Sequence, residues 1–353
     1  MKNIGFIDKA RMSNIPEKCQ AAHEFCFHLH DLMAHLLVEM ETQGAPRISV
    51  KIETEDNKAL LESGVHYLDF LEKSGRGDME RLAVVNQMGI ALYADMLHFV
   101  YEGMIALEKR KFSVAFALLR KLFKEGMLLA AQMCADEDAF FKKMKFDAKN
   151  LLNRKVLDET GVKHLLTKAI ASCRGKSFAN PELIYGAVFD RKNANGLGTM
   201  FDKATHLITE FSQIQTENYN INFIFKNPLD NDVYESVYPQ LAMLLFFLNI
   251  MQIELYGRMR ETDKKYQNWM LFTAIGAYES LFSPGKSRMT RFLNSNFGEL
   301  LVCPHCSANI RVKKIDAPRL FIGEIVDCKS CGKSHHFPLG WLLSKVELAL
   351  LED

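Results

Sequence analysis

The chain is most apolar at residues 241–256, LAMLLFFLNIMQIELY. Only Asn249, Gln252 and Glu254 interrupt this run, and it is shorter than the roughly 20 apolar residues that a bilayer-spanning helix needs. The run therefore predicts a helix buried inside the protein, and no membrane is expected as a partner.

Helical periodicity continues on both sides of this run, over residues 232–282, with breaks expected near Pro239 and Asp263. Further helices are predicted over residues 14–43, 56–73, 78–111, 113–135, 137–152, 158–172, 181–190 and 197–214. Residues 218–225, NYNINFIF, alternate polar and apolar side chains and predict a lone strand or hairpin arm. The predicted fold class is mainly α, with a multi-helix body.

The composition is that of a folded globular protein, with 48% hydrophobic and 25% charged residues and only 9 prolines among 353. Lys and Arg number 44 and Asp and Glu 43, so the chain as a whole carries no charge excess that marks a nucleic-acid binder. Any basic surface must be local.

Residues 1–19, MKNIGFIDKARMSNIPEKC, lack the apolar core of a secretion signal, and a cytoplasmic location is therefore expected. In a reducing compartment the single cysteines are expected to be small core residues: Cys19, Cys26, Cys134 and Cys173. The other four cysteines form two CxxC pairs and are expected to bind metal.

These pairs are Cys303 with Cys306, in CPHC, and Cys328 with Cys331, in CKSC, with 21 residues between them. Two thiolates two residues apart can hold one metal ion from a tight turn, and a second such turn completes a tetrahedral site. One structural Zn²⁺ is therefore predicted. A catalytic zinc with an open position is disfavoured because four thiolates fill the coordination shell.

The segment between the pairs predicts a hairpin. Residues 309–315 alternate apolar and basic side chains, and residues 320–326 are rich in β-branched and aromatic types. This C-terminal part resembles a zinc ribbon over about 35 residues. Gly332 follows the second pair as such a turn requires, whereas Ser307 stands where the first turn would often have glycine.

The composition changes after Pro284, within SPGKSRMTR at 283–291. Residues 1–285 are therefore predicted to form the helical domain, which divides into two sub-bundles if the chain breaks near 216–231. Residues 286–339 form the predicted zinc ribbon with its basic flank, and residues 340–353 a C-terminal helix.

Basic residues are concentrated in this last third of the chain. Between Lys286 and Lys333 there are nine Lys or Arg and four acids, whereas the remainder carries 35 and 39. A nucleic-acid-binding surface is predicted at Arg311, Lys313, Lys314 and Lys329, since clustered cations bind phosphates. The alternatives are a basic hairpin that is merely solvated and a ribbon that only docks on the helical body.

The first helix carries a stripe of histidines and carboxylates on one face: Glu24, His28, Asp31, His35 and Glu39. Such a stripe could form a metal or acid–base site. The apolar set of this helix is centred about 150° away, so the stripe is predicted to be a solvated face.

Two further segments, ALLRKLFKEG with Arg120 and FDKATHLITEF with His206, resemble helical proteins of the bacterial abortive-infection type, some of them similar to HEPN ribonucleases. No Arg and His here share the spacing of that superfamily's motif. If Arg120 and His206 met across helices, the resemblance would imply a metal-independent ribonuclease toxin, with Arg120 stabilising the transition state and His206 moving a proton.

The sequence contains no phosphate-binding GxxxxGK loop, no GxGxxG after a strand, no nucleophile elbow and no HExxH. Whether the protein is an enzyme stays open. The favoured function is a zinc-ribbon-containing accessory protein that binds RNA or DNA or docks a protein partner, and the resemblance implies prokaryotic phage defence or stress response. The alternatives are the ribonuclease toxin and a structural scaffold that assembles through its ribbon.

Overall fold

The computed structural model describes residues 4–153, 157–208, 215–216, 218, 221, 231–260 and 263–345. The elements in chain order are α1 (Glu17–Thr42), α2 (Glu55–Glu62), α3 (Tyr67–Lys73), α4 (Gly77–Glu108), α5 (Phe112–Lys121), α6 (Met127–Ala135), α7 (Glu137–Asp147), α8 (Glu159–Ser172), α9 (Pro181–Val188), α10 (Leu197–Thr205), α11 (Asp232–Met259), α12 (Lys264–Phe282), α13 (Arg288–Asn296), α14 (Ala317–Gly323), β1 (Ile325–Asp327), β2 (Ser334–His336) and α15 (Leu339–Leu343). The mainly α fold class with a small C-terminal module is confirmed. Most of the predicted strand at 218–225, most of the predicted break near 216–231 and residues 346–353 of the predicted C-terminal helix lie outside the described residues.

The most apolar run forms the central helix α11, as predicted. Its residues from Leu244 to Ile253 are all buried, so every face of the helix is covered by protein. It packs against α1, α6 and α12. Pro239 lies within α11 without ending it, which corrects the expected break at that position.

Two of the described helices, α4 and α11, are long and apolar enough to cross a membrane by length and composition alone. The most apolar window of α11 is 78% buried inside the protein and that of α4 is 50% buried. A buried core helix passes the same test, so this property is weak evidence for a membrane span.

The predicted helix over residues 113–135 contains a π-helical turn, Leu122–Gly126, between α5 and α6. At Gly126 a Cβ atom would lie 2.6 Å from the sulfur of Met96, so only glycine allows this approach to α4. The turn also leaves the side chain of Lys124 buried against Asp202 of α10. Such turns inside α-helices are rare and lie often at functional sites.

The predicted helix over residues 56–73 is wrong in one respect: it is two helices, α2 and α3. Gly64, with φ of +75°, separates them in a left-handed conformation that favours glycine. α2 buries no residue, whereas α3 buries Phe70 and Leu71 in a small cluster of its own with Ala83.

The four single cysteines are buried, as predicted.

The predicted solvated stripe of α1 is wrong for its first half. Glu24 and His28 are buried, whereas Asp31 and His35 are exposed. The N-terminal segment Ile4–Ile7 covers this part of α1. Its four backbone N–H groups donate to the Glu24 carboxylate at 2.6 to 3.2 Å. This segment precedes α1 and lies back along it, so the helix periodicity of α1 alone could not reveal it.

Burial has a consequence for the acid stability of the protein, because it lowers the pKa of His28 to about 4. The unfolded chain binds a proton at His28 near pH 6.5, so stability is fully present above that pH and is lost as pH falls toward 4. At 1.36 kcal/mol per pKa unit, we expect about 2 kcal/mol of unfolding free energy to be lost at this residue between pH 7.5 and 5. Urea unfolding at both pH values measures this difference in unfolding free energy.

In His28→Gln this pH-dependent loss should disappear, whatever the substitution does to stability at pH 7.5. The matched control is His35→Gln on the exposed half of the same helix face, which should keep the wild-type difference between the two pH values. Equal pH dependence in wild type and His28→Gln would contradict the buried, neutral imidazole.

Candidate metal centre

The two CxxC pairs come together in the C-terminal module. The four Sγ atoms of Cys303, Cys306, Cys328 and Cys331 lie within 4.8 Å of one another, and they are the one group of metal-ligating side chains found among the described residues. The Sγ atoms of Cys303 and Cys331 are 3.7 Å apart and those of Cys306 and Cys328 are 3.6 Å apart. A tetrahedral site with metal–sulfur bonds of about 2.3 Å requires sulfur–sulfur distances of about 3.8 Å. The arrangement therefore fits one metal ion.

Both CxxC turns are built alike. In the first, the N–H of Cys303 donates to Ala308 O and the N–H of Ser307 donates to Cys303 O, each at 2.9 Å. An antiparallel bridge between Val302 and Asn309 closes this turn. Ser307 has φ of +54°, a left-handed conformation that glycine usually supplies. Ser307 therefore adopts the conformation for which glycine was expected at this position of the first turn.

In the second turn, the N–H of Cys328 donates to Lys333 O and the N–H of Gly332 donates to Cys328 O, again at 2.9 Å. Gly332 has φ of +73°, at the position that matches Ser307. The strands β1 and β2 flank this turn, with Val326 opposite His335. Both turns therefore direct their thiols toward the same point from short hairpins of their own.

The predicted hairpin between the pairs is wrong. Residues 320–326 do not form an arm that pairs with residues 309–315: most of them belong to helix α14, and only Ile325 and Val326 are in a strand. Pro318 lies in the first turn of α14, where it costs no hydrogen bond, and Glu324 ends the helix in a left-handed conformation. The apolar residues Leu320, Phe321 and Ile322 are buried on α14 rather than on a sheet.

The four thiols differ in their electrostatics: the backbone N–H of Ala308 lowers the pKa of Cys306, but hydrogen bonding to the Cys328 thiol and burial outweigh it and raise that pKa. Backbone N–H groups, chiefly that of Cys331 and also that of Ser330, hydrogen bond to the Cys328 sulfur and lower the pKa of that thiol to about 6. A thiolate is the form that binds metal. Four soft sulfur ligands in tetrahedral reach suit Zn²⁺ and leave no open position for a substrate.

The module packs closely against the helical body. The ring of Phe321 lies over Gly276 of α12, where a Cβ atom would come within 2.5 Å of it. The side chain of Asn294 on α13 binds both backbone groups of Val312 at 2.9 Å. Lys314 donates to the carbonyl oxygens of Ser283 and of Gly285, the latter at 2.9 Å. Packing of α14 on α12 and hydrogen bonds to α13 and to the 283–285 loop therefore hold the module against the helical body.

The four predicted nucleic-acid-binding residues are not equivalent. Arg311 and Lys313 are exposed, and the side chain of neither forms a hydrogen bond or an ion pair with another described residue. Lys329 is exposed but pairs with Asp316 at 3.1 Å. The ammonium group of Lys314 donates hydrogen bonds to carbonyl oxygens of the 283–285 loop. Arg311 and Lys313 are thus best placed to meet a ligand.

Arg120 lies in a cleft of about 530 Å³ beside the π-helical turn, and Lys124, Tyr185 and Arg191 also line it. The Nε atom of Arg120 is 3.6 Å from a carboxylate oxygen of Asp202. His206, one turn after Asp202, is exposed at the end of α10 and is not among the described residues that line the cleft. The ribonuclease interpretation stays a prediction.

Sequence reasoning missed a buried polar network in the body. The Tyr238 hydroxyl lies 2.8 Å from Nδ1 of His23, and Nε2 of His23 lies 3.1 Å from the Glu108 carboxylate, which Arg11 also binds at 2.6 Å. Burial lowers the pKa of His23, so the ring is neutral and donates to Glu108 while it accepts from Tyr238. These residues come from segments up to 227 positions apart, and no local pattern joins them.

Comparison with models of protein families, with curated proteins and with solved structures found no match to this chain. The resemblances to a zinc ribbon and to abortive-infection proteins therefore rest on the sequence motifs alone.

Proposed function

We propose that the protein binds one Zn²⁺ at its four cysteines and uses the module so formed to contact the phosphate backbone of RNA or DNA. The observation that carries this proposal is the cluster of four thiols, together with the two free cations that follow its first turn. The zinc has a structural role: it fixes the turn from which the segment with Arg311 and Lys313 leaves.

The charge of the module supports a polyanionic partner. Residues 286–333 carry a formal charge of +5, and the rest of the chain carries −4. A zinc with four thiolates contributes about −2, which reduces the excess without removing it. Part of the excess is internal, since Arg319 binds Asp327 at 2.7 Å and Lys329 binds Asp316. Six exposed cations of the segment form no ion pair with another described residue, and Arg311 and Lys313 are the two that follow the first CxxC turn most closely; the six are Lys286, Arg288, Arg291, Arg311, Lys313 and Lys333.

Replacing both Arg311 and Lys313 by Ala should weaken binding to a labelled 30-nucleotide RNA and lower its salt dependence. Each phosphate that a cation neutralises contributes about 0.7 to the log–log salt slope for single strands, so the slope should fall by up to about 1.4 units. Fluorescence anisotropy at several salt concentrations measures both effects. Zinc content and helicity should not change.

The matched control is Lys58→Ala with Lys73→Ala, which removes the same charge from exposed positions of α2 and α3. It should leave the binding near that of wild type. Absence of binding at 50 mM salt, or equal binding by both double variants, overturns the nucleic-acid proposal. A change of oligomer size in Arg311→Ala/Lys313→Ala instead would indicate a protein-docking module.

A further inference from the structure

The exposed cations of the C-terminal module continue onto the helical body. Residues 283–315 contain six Lys or Arg and a single acid, Glu299. Lys314 is held by carbonyl oxygens, whereas the other five cations are exposed and form no ion pair with another described residue. These five lie in two stretches of sequence: Lys286, Arg288 and Arg291 at the start of α13, and Arg311 with Lys313 after the first CxxC turn.

Two sets of hydrogen bonds bring these stretches side by side. The Asn294 side chain on α13 binds the backbone N–H and carbonyl oxygen of Val312, each at 2.9 Å. Two residues later, Lys314 donates to carbonyl oxygens of the 283–285 loop, which precedes α13. Residues 312–314 therefore run along α13 from Asn294 back toward its start. Arg311 and Lys313, on either side of Val312, thus lie beside the cations of α13.

The start of α13 is fixed to α12 by a buried carboxylate. Glu279 of α12 accepts from the Ser287 hydroxyl at 2.8 Å and from the N–H of Met289 at 2.9 Å. Ser287 in turn caps α13 by accepting from the N–H of Thr290. The backbone that carries Lys286, Arg288 and Arg291 is therefore already in place. Preorganised charges lower the entropic cost of binding a partner.

A further cation adjoins α13 on the helical body. The guanidinium carbon of Arg288 lies 5.3 Å from the ring centre of Phe178, which ends the short 3-10 turn Lys176–Phe178 between α8 and α9. Lys176 is exposed and forms no ion pair with another described residue. The acid nearest to it in sequence, Glu182, pairs with Lys163 at 3.0 Å. The cations therefore extend from the module across α13 to Lys176.

The aromatic residues of this region do not offer rings on which bases could stack. Residues 283–333 contain no Tyr or Trp, and their three phenylalanines are buried or half-buried. The exposed Trp341 follows Gly340, where a Cβ atom would lie 3.0 Å from Nε1 of Trp269, about 21 Å along α12 from the 283–285 loop. Proteins that bind single strands depend on stacking of bases on aromatic rings. Cations without such rings suit a duplex, which presents one charge per about 1.7 Å of its axis.

We infer that the cations of α13 and Lys176 form one surface with Arg311 and Lys313, and that this surface binds the backbone of double-stranded nucleic acid. The inference rests on the proposed function and adds two points to it: the helical body supplies part of the interface, and the partner is a duplex. Contacts to phosphates carry no sequence information, so little base preference is expected.

Fluorescence anisotropy of the full chain with a labelled 30-nucleotide RNA, alone and annealed to its complement, tests the inference. We expect the duplex to bind at least fivefold more tightly than the single strand at about 100 mM salt, because each neutralised phosphate contributes about 0.9 to the log–log salt slope of a duplex and about 0.7 to that of a single strand. Lys286→Ala/Arg291→Ala should weaken duplex binding at least tenfold and lower its salt slope by up to about 1.8 units, with unchanged zinc content and thermal unfolding. The charge-matched control, Lys58→Ala/Lys73→Ala, should bind the duplex as wild type does.

A second variant tests the helical body by itself. Lys176→Glu reverses one exposed charge outside the module and should weaken duplex binding at least threefold. Equal or tighter binding of the single strand, or unchanged duplex binding by Lys286→Ala/Arg291→Ala or by Lys176→Glu, overturns this inference. If Arg311→Ala/Lys313→Ala still weakens binding in that case, the proposed function stands without it. Absence of binding of either RNA form by wild type overturns both.

Discussion

Replacing Cys328 by Ser is expected to release the bound metal and to unfold the C-terminal module while the helical body stays folded. A metal that binds only the folded site contributes its binding free energy to folding, and for structural zinc this amounts to about 10–16 kcal/mol. The two CxxC turns have little secondary structure of their own to hold them, since the sheet beside them has two strands of three residues each. Elemental analysis of the purified variant, with hydrogen exchange over residues 303–336, measures both effects.

The body should lose some stability as well, because α14 covers part of α12. Phe321 lies against Gly276 and against the ring of Phe272, with 5.6 Å between the two ring centres. Far-ultraviolet circular dichroism should nevertheless stay close to that of wild type. The control is Cys19→Ser, a buried cysteine of α1 outside the cluster, which should retain a full equivalent of zinc. Full zinc content in a Cys303→Ser/Cys328→Ser double variant would exclude the proposed centre.

The cluster of four cysteines could be predicted from the sequence because each CxxC pair is a local pattern. Two thiols separated by two residues must share a turn, and both turns form with nearly the same hydrogen bonds. The long helix α11 could be predicted for a related reason, since ten consecutive positions buried on all sides produce a continuous apolar run. In both cases a short stretch of sequence carries the whole signal.

Helix α14 could not be predicted in the same way. Its residues include Phe321 and Ile322, whose β propensity favours a strand, and the helix has only seven residues. What decides its conformation is burial against α12, a contact between segments more than 40 positions apart. Burial of an apolar face against another helix can outweigh a weak local preference for β structure.

The buried half of the α1 stripe also depends on a distant segment. Periodicity placed Glu24 away from the apolar face of α1, yet the residues Ile4–Ile7 cover it and bring four donors to its carboxylate. A buried carboxylate is tolerated when several hydrogen bonds replace its hydration. Nothing in the sequence of α1 could distinguish a side chain covered in this way from a solvated one.

Glu24→Gln is therefore expected to free the N-terminal segment and to destabilise the protein by about 2–3 kcal/mol. Oε1 of Glu24 accepts from Gly5, Phe6 and Ile7, and Oε2 accepts from Ile4. A glutamine amide keeps one acceptor but turns an N–H group toward one of these donors, and it removes the negative charge that makes each bond worth about 1.5–3 kcal/mol. Urea unfolding at pH 7.5 measures the loss, and hydrogen exchange at residues 4–7 should accelerate at least tenfold.

The same stripe supplies the control, because Asp31 lies two turns farther along α1 with more than half of its side chain exposed. Asp31→Asn should change the unfolding free energy by less than about 0.5 kcal/mol, as substitutions at solvated positions do, and should leave exchange at residues 4–7 unchanged. Equal effects of the two substitutions would mean that the whole stripe is solvated and that the N-terminal segment does not cover it. A large effect of Glu24→Gln alone would establish that this carboxylate anchors the chain before α1 to the helical body.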